Sequence, residues 1–142
     1  MAERVADGPR RALVTGAGAR LGKAMAEALG KQGWSVAIHY RGSKAGAEET
    51  AEPIRAFGAK AEIIQADLSD EESTSTLVRV AQEALGGPLT LLINSASMFQ
   101  DDTALDHTKV NRDAHMGPNL RAPILLSQHF ARALPEGEAG LI

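Results

Sequence analysis

The chain has 142 residues, enough for one domain that hides about 70% of the surface exposed by its unfolded form. Its formal net charge of −3 provides no bulk electrostatic attraction to nucleic acid or to an anionic membrane, so we expect neither as a partner. Because the sequence contains no cysteine, disulfides, thiolate zinc sites and thiol nucleophiles are excluded.

The chain begins with a segment that lacks the features of a targeting signal. Residues 1–11 mix charges of both signs and contain no apolar run of the secretory type. No later apolar run approaches the roughly 20 residues needed to span a bilayer. We therefore expect a cytoplasmic protein.

Short apolar runs alternate along the chain with segments of helical periodicity. The predicted strands are residues 11–15, 36–40, 61–65 and 90–94, with a fifth beginning at 140–142. This alternation is typical of an α/β fold in which a doubly wound parallel sheet is built with right-handed crossovers. We expect residues 1–142 to form one part of a single domain, truncated at the start of the fifth strand.

Two helices are predicted in the first half of the chain. The first is expected to end at Gly30 or Gly33, since glycine commonly follows a helix. Its buried face is predicted to consist of Leu21, Met25, Ala28 and Leu29. The second covers residues 45–57, and Pro53 should kink it or mark its restart.

Two more helices are predicted in the second half. Ser69 and Glu72 have the spacing of a capping box, which opens a helix that ends at residues 86–88. Residues 119–133 form the last helix, and the segment before it is expected to be irregular.

A glycine-rich turn, Thr15 to Gly22, lies between the first strand and the first helix. Gly16 allows a sharp turn, and the helix N-terminus offers free N–H groups and a positive dipole to a pyrophosphate. Gly22 is predicted to let the helix pack close to the sheet. The alternative is a plain strand-to-helix turn that happens to contain small residues.

The second strand ends without the carboxylate that holds an unphosphorylated adenosine ribose in dinucleotide-binding sheets. Arg41 can instead pair with a 2′-phosphate, and Ser43 can donate a further hydrogen bond. Arg20, in the neighbouring turn, adds positive charge. The sequence therefore predicts a preference for NADP(H), whereas the alternative treats Arg41 as a solvated loop residue.

Four segments in the same order along the chain resemble the short-chain dehydrogenase/reductase family. Thr15 to Gly22 is similar to its T-G-x-x-x-G-x-G pattern, with Arg20 in place of the middle glycine. Asp67-Leu68 resembles the pair that holds the adenine, and Asn94 to Ser97 occupies the place of the N-N-A-G motif. Asn119 resembles the helix asparagine that anchors a water near the catalytic lysine. The resemblance implies a Rossmann-type oxidoreductase.

The resemblance also implies which side chains serve the cofactor and the reaction. The implied cofactor contacts are Gly16, Arg20, Leu21, Gly22, His39, Tyr40, Arg41, Ser43, Asp67, Leu68, Asn94, Ser95 and Ala96. Asp67 would accept a hydrogen bond from the adenine amino group, although on its own it can also be a turn-forming residue. Asn119 is the implied catalytic residue within the chain.

Departures from the family pattern resemble the pteridine reductases and the related dihydromonapterin reductases. These departures are Arg20, the second-strand end 39–43 and the segment 94–99. By this resemblance Phe99 would stack on a pterin, Ser97 would hydrogen-bond the pterin or the cofactor, and Arg20 would reach a phosphate or the substrate. The alternative for Phe99 is a loop aromatic packed on the core.

The family's catalytic tyrosine, with a lysine four residues later, has no suitable counterpart. Tyr40 and Lys44 have that spacing but lie at the adenosine end, away from a substrate carbonyl. We consider three explanations: a partial chain of a longer homotetrameric enzyme, a non-catalytic NADP(H)-binding module, or another reductase such as a 3-oxoacyl-carrier-protein reductase.

The remaining polar residues predict no metal site. His39, His107, His115 and His129 lack a shared ligand spacing, so we interpret them as surface or satisfied core histidines. Asp101-Asp102 is interpreted as a solvated loop tip.

Overall fold

A computed structural model describes residues 10–142. The segment 1–11, in which no targeting signal is predicted, therefore lies mostly outside the described residues. The strands are β1 (Arg11–Val14), β2 (Ser35–Tyr40), β3 (Ala61–Gln65) and β4 (Leu91–Ile93). They form a parallel sheet in the order β3-β2-β1-β4. A parallel bridge between Leu91 and Leu141 lies where the fifth strand is predicted to begin.

Helices cover both faces of this sheet. They are α1 (Arg20–Lys31), α2 (Lys44–Ala56), α3 (Glu71–Leu85), α4 (Lys109–Met116), a π-helical turn (Gly117–Arg121) and α5 (Ala122–Ala133). Ala12 and Val14 of β1 pack in the core beneath α1 and α2, whereas Leu13 packs in the core beneath α3 and α5. The sheet is therefore buried on both sides, as the continuous apolar strands indicate. No helix within residues 10–142 is both long and apolar enough to cross a membrane.

The prediction of the buried face of α1 is wrong, because the observed buried residues lie about one position later along the helix. Leu21 is 67% exposed, and the buried residues are Gly22, Ala26 and Gly30. The helix also continues through Gly30, where a Cβ atom would lie 2.6 Å from the side chain of Ile54. Small residues face inward because α1 packs very close to α2, while Gly33 has the positive φ that ends the segment.

The expectation that Pro53 marks a helix restart is also wrong, because α2 runs through it as one helix. Asp70, rather than Ser69, caps α3 by accepting a hydrogen bond from the Ser73 N–H group. The N-cap thus lies one residue later than predicted, and the predicted capping box of Ser69 and Glu72 is wrong.

The segment 109–116, expected to be irregular, forms helix α4. Thr108 caps it, but none of its residues is buried. A helix with no buried face gives little apolar periodicity, which explains why its sequence did not predict it.

Candidate functional site

A cavity of about 420 Å³ lies at the carboxyl ends of β1 and β4, where each strand continues into a loop. The predicted site residues that line it are Gly16, Arg20, Leu21, Gly22, His39, Arg41, Asp67, Leu68, Ser95, Ala96 and Ser97. These residues follow the carboxyl ends of all four strands, at the point where the strand order changes direction. Ligands of doubly wound sheets bind at this position.

The glycine-rich turn brings backbone atoms too close together for side chains. Gly16 has φ = 63°, and a Cβ atom there would lie 2.7 Å from Ala96 Cα. A Cβ atom at Gly22 would lie 2.3 Å from the Gly16 carbonyl oxygen. The first turn of α1 therefore rests directly on the loop, and its free N–H groups form one wall of the cavity.

Thr15 joins the two loops on either side of the cavity. Its buried hydroxyl accepts hydrogen bonds from the N–H groups of Ser95 and Ala96, both at 3.0 Å, and donates to the Ile93 carbonyl at 3.4 Å. No individual contact of Thr15 is predicted from the sequence. A polar residue ending an apolar strand is the only indication in the sequence, because a buried hydroxyl must find partners.

His39 connects three strand ends through one neutral imidazole. Its Nδ1 atom accepts a hydrogen bond from the Gly16 N–H group at 3.0 Å, and its Nε2 atom lies 2.9 Å from the Ala66 carbonyl oxygen. Nε2 must therefore carry the proton. Burial lowers the pKa of His39, although the Ala66 carbonyl and the Asp67 charge act in the opposite direction. The prediction of a satisfied core histidine agrees with this geometry.

We expect the protein to lose stability as the pH falls below 6.5, the pKa of an unperturbed His39. Because its folded pKa is lower, the unfolded chain takes up the proton first. His39 thus contributes stability that is fully present above pH 6.5 and is lost toward the folded pKa. Within that window the free energy of unfolding should fall by up to about 1.4 kcal/mol per pH unit.

Urea unfolding of the wild type and of His39→Gln, from about pH 7.5 to about pH 5.5, measures this contribution. The variant should show the weaker pH dependence. Identical slopes for the two proteins would contradict the assignment.

Asp67 and Arg41 line the cavity together and form an ion pair there. One Asp67 carboxylate oxygen accepts hydrogen bonds from the Ser69 hydroxyl at 2.6 Å and from the Ser69 N–H group at 2.9 Å. These bonds, aided by the Arg41 charge, lower the pKa of Asp67. The Arg41 Nε atom lies 3.8 Å from the same oxygen, and the side chain is 66% exposed. Its guanidinium group is therefore accessible at the rim.

Arg20 is the one non-glycine residue with positive φ in the described part of the chain, at 49°. This backbone conformation costs on the order of 1 kcal/mol for a residue with a side chain. Arg20 nevertheless lines the cavity, together with Gly16 and Gly22 of the glycine-rich turn. Arg20 therefore holds a strained backbone conformation in the cavity lining.

The predicted residues outside the cavity lining have other surroundings. Tyr40 packs against the core beneath α1 and α2, and Ser43 caps α2 by accepting a hydrogen bond from the Gly46 N–H group. Tyr40 is thus not among the residues that line the cavity. Asn94 is exposed in the loop of residues 94–108 that follows β4, named the β4 loop below.

Asn119 lies in the π-helical turn, directly after the buried Pro118. Its Oδ1 atom accepts a hydrogen bond from the Met98 N–H group at 2.8 Å, and its Nδ2 atom donates to the Met98 carbonyl at 2.7 Å. Both polar atoms of the side chain are therefore engaged by the β4 loop.

Phe99 is 80% exposed, and its ring meets the edge of the His115 ring at a centroid distance of 6.1 Å. It does not pack on the core. Ser97, two residues earlier, lines the cavity. The β4 loop thus carries an accessible aromatic surface just beyond the cavity.

Comparison with known proteins agrees with this geometry. The family model described as short chain dehydrogenase matches residues 10–142. The chain belongs to the short chain dehydrogenase family. An uncharacterized oxidoreductase of Methylorubrum extorquens is 34% identical over 89% of this chain and 50% of its own length. A 3-oxoacyl-[acyl-carrier-protein] reductase of Staphylococcus aureus is 31% identical over 79% of this chain and 45% of its own.

Two solved structures extend the similarity to three dimensions. FolM alternative dihydrofolate reductase 1 from Brucella canis, complexed with NADP, superposes with a TM-score of 0.88 at 36% identity, covering 97% of this chain and 55% of that one. A short chain dehydrogenase from Burkholderia cenocepacia, also in complex with NADP, gives a TM-score of 0.86 at 38% identity, covering 92% and 53%. This short chain dehydrogenase chain spans about half the length of the curated relatives it matches.

Proposed function

We propose that the chain is the cofactor-binding part of an NADPH-dependent oxidoreductase that reduces a pterin-type substrate by hydride transfer. The observation that carries this proposal is the cavity itself. It combines a glycine turn at a helix N-terminus with two arginines, Arg20 and Arg41, in its lining. A dinucleotide with a 2′-phosphate complements that arrangement.

The cavity walls fit such a cofactor in their chemistry. The space that a Cβ atom would fill at Gly16 and Gly22 is taken by backbone, so both glycines let α1 pack directly against the turn. The N–H groups at the start of α1 would then bind the pyrophosphate. Arg20 and Arg41 would hold the 2′-phosphate, and Asp67 and Leu68 the adenine. When bound, the nicotinamide supplies the hydride.

At the nicotinamide end, the loop formed by Ser95, Ala96 and Ser97 would orient the ring, since Thr15 fixes its backbone. The neutral imidazole of His39 holds the turn in place from below. Both contacts act by positioning, which lowers a reaction barrier without any group of the protein reacting.

The pterin assignment is supported by Phe99 and by the similarity to the Brucella FolM dihydrofolate reductases. A flat heteroaromatic ring can stack on an exposed phenyl ring beside the cavity. The second candidate, a 3-oxoacyl-carrier-protein reductase, is supported by the Staphylococcus relative. In that reading Phe99 would have no stacking partner.

We also propose that the catalytic tyrosine and lysine follow these 142 residues in a longer, cytoplasmic, homotetrameric protein. The half-length match to the curated relatives supports this arrangement. Asn119 would then act beside that pair. If the natural protein bound NADPH but turned over no substrate, this result would instead favour the non-catalytic NADP(H)-binding module.

Replacing Phe99 by alanine in the full chain is expected to lower kcat/KM for a dihydropterin by about tenfold or more, because ring stacking contributes on the order of 1–3 kcal/mol. NADPH affinity should stay unchanged. The matched control is Phe57→Ala, which removes an exposed phenyl ring at the end of α2.

Steady-state kinetics with a dihydropterin and with a 3-oxoacyl thioester separate the two candidates. Unchanged dihydropterin turnover in Phe99→Ala would end the stacking proposal. Faster wild-type turnover of the thioester would favour the acyl substrate.

A further inference from the structure

On both sides of Phe99, hydrogen bonds attach the β4 loop to α4 and to the π-helical turn that follows it. Asn119 holds Met98, the residue before, through both backbone polar groups. His115 holds Gln100, the residue after, by accepting a hydrogen bond from its N–H group at Nε2, 2.9 Å away. Phe99 thus lies between two fixed backbone positions.

We propose that His115 is a positioning residue that sets the orientation of Phe99 toward the substrate. The inference rests on the proposed function, because it is the pterin that gives the phenyl ring its role. His115 itself is not among the residues that line the cofactor cavity.

The orientation of the His115 ring is fixed from its other side. Its Nδ1 atom lies 2.7 Å from the Asn111 carbonyl oxygen, one helical turn earlier, so Nδ1 carries the proton and Nε2 is left as an acceptor. The imidazole is therefore fixed in one tautomer between α4 and the loop. A residue in the last turn of α4 thereby holds the Gln100 backbone in place.

The same ring also guides the Phe99 side chain. The two rings meet edge-on, with an interplanar angle of 74°. Phe99 is otherwise exposed, and its segment has no regular secondary structure. Without these three hydrogen bonds to the loop backbone and this edge contact, an exposed phenyl ring would sample several rotamers, and ordering it would weaken substrate binding.

Three variants of the full chain separate the hydrogen bond from the ring. His115→Phe keeps an aromatic edge for Phe99 but removes the acceptor for Gln100. His115→Gln restores an acceptor of similar reach. His107→Phe, an identical change at an exposed position of the same loop region, is the matched control.

We expect His115→Phe to raise KM for a dihydropterin by about fivefold to tenfold, the loss typical of one hydrogen bond. Its kcat and its NADPH dissociation constant should remain within about twofold of the wild type. His115→Gln should recover most of the loss, and His107→Phe should match the wild type.

Amide hydrogen exchange at Gln100, measured without substrate, tests the contact independently of the reaction. Faster exchange in His115→Phe, restored in His115→Gln, is the expected result. Unchanged exchange, or an equal loss of NADPH affinity and dihydropterin affinity, would overturn the positioning role. If the wild type does not reduce dihydropterin, the proposed function fails, and with it the role of Phe99 as a substrate contact.

Discussion

Replacing Gly22 by alanine is expected to destabilise the fold by about 3 kcal/mol and to abolish measurable NADPH binding. The new Cβ atom would lie 2.3 Å from the Gly16 carbonyl oxygen and 3.0 Å from Ala17 Cα. Both are backbone atoms, which cannot rotate away as a flexible side chain would. The helix α1 must therefore move off the turn, and the N–H groups facing the cavity move with it.

Gly18→Ala is the matched control in the same turn. Its Cβ atom would meet Ala47 N at 3.4 Å, which is an ordinary contact, and Gly18 has no positive φ. Urea unfolding should place this variant within about 1 kcal/mol of the wild type. A similar free energy of unfolding for both variants would show that close packing at Gly22 is not what the turn requires.

The role of Gly22 could be predicted because the sequence pattern and the constraint are both local. A strand, a glycine turn and a helix follow one another, and the position of the glycine specifies where the helix approaches the loop. The four strands were predictable for the same reason, since buried parallel strands are short continuous apolar runs. The parallel bridge at Leu141 lies where the sequence predicted the fifth strand.

The orientation of α1 was less accessible to sequence analysis. Apolar periodicity favours large residues as the buried face, whereas this helix buries Gly22, Ala26 and Gly30. The close contact between Gly30 and Ile54 decides the outcome, and it depends on how near α2 lies. Interhelical distance is a tertiary property that the sequence of one helix does not contain.

Several positioning contacts of the site were missed because their partners are distant in sequence. Thr15 binds residues 80 and 81 positions later, and His39 binds Gly16, 23 positions earlier. His115 could be predicted only as a surface or satisfied core residue, because its partner Gln100 lies in an irregular loop. A polar residue next to a known motif indicates that such a contact exists, but its position in the sequence does not identify the partner.

Removing the Arg41 guanidinium group is expected to lower NADPH affinity by about 10- to 100-fold and to leave NADH affinity unchanged. A hydrogen bond to a charged group contributes about 1.5–3 kcal/mol, and only NADPH carries the 2′-phosphate that Arg41 would bind. The reverse change, Arg41→Glu, should favour NADH, because a carboxylate repels the phosphate but accepts hydrogen bonds from a free ribose.

The fold itself should tolerate the loss of Arg41. Its ion pair with Asp67 is long, at 3.8 Å, and both side chains are largely exposed, so the pair contributes little to stability. Asp67 would still be held by the two hydrogen bonds from Ser69. A change in cofactor affinity therefore reports on the missing guanidinium group rather than on a damaged cavity.

Fluorescence titration with NADPH and NADH measures the effect, with Arg79→Ala as the control. Arg79 is as exposed as Arg41 and pairs with Glu83 on the surface of α3, outside the cavity lining. Equal wild-type affinities for the two cofactors would contradict the NADP(H) preference. A wild-type preference that survives in Arg41→Ala would instead assign phosphate recognition to Arg20, the other arginine in the cavity lining.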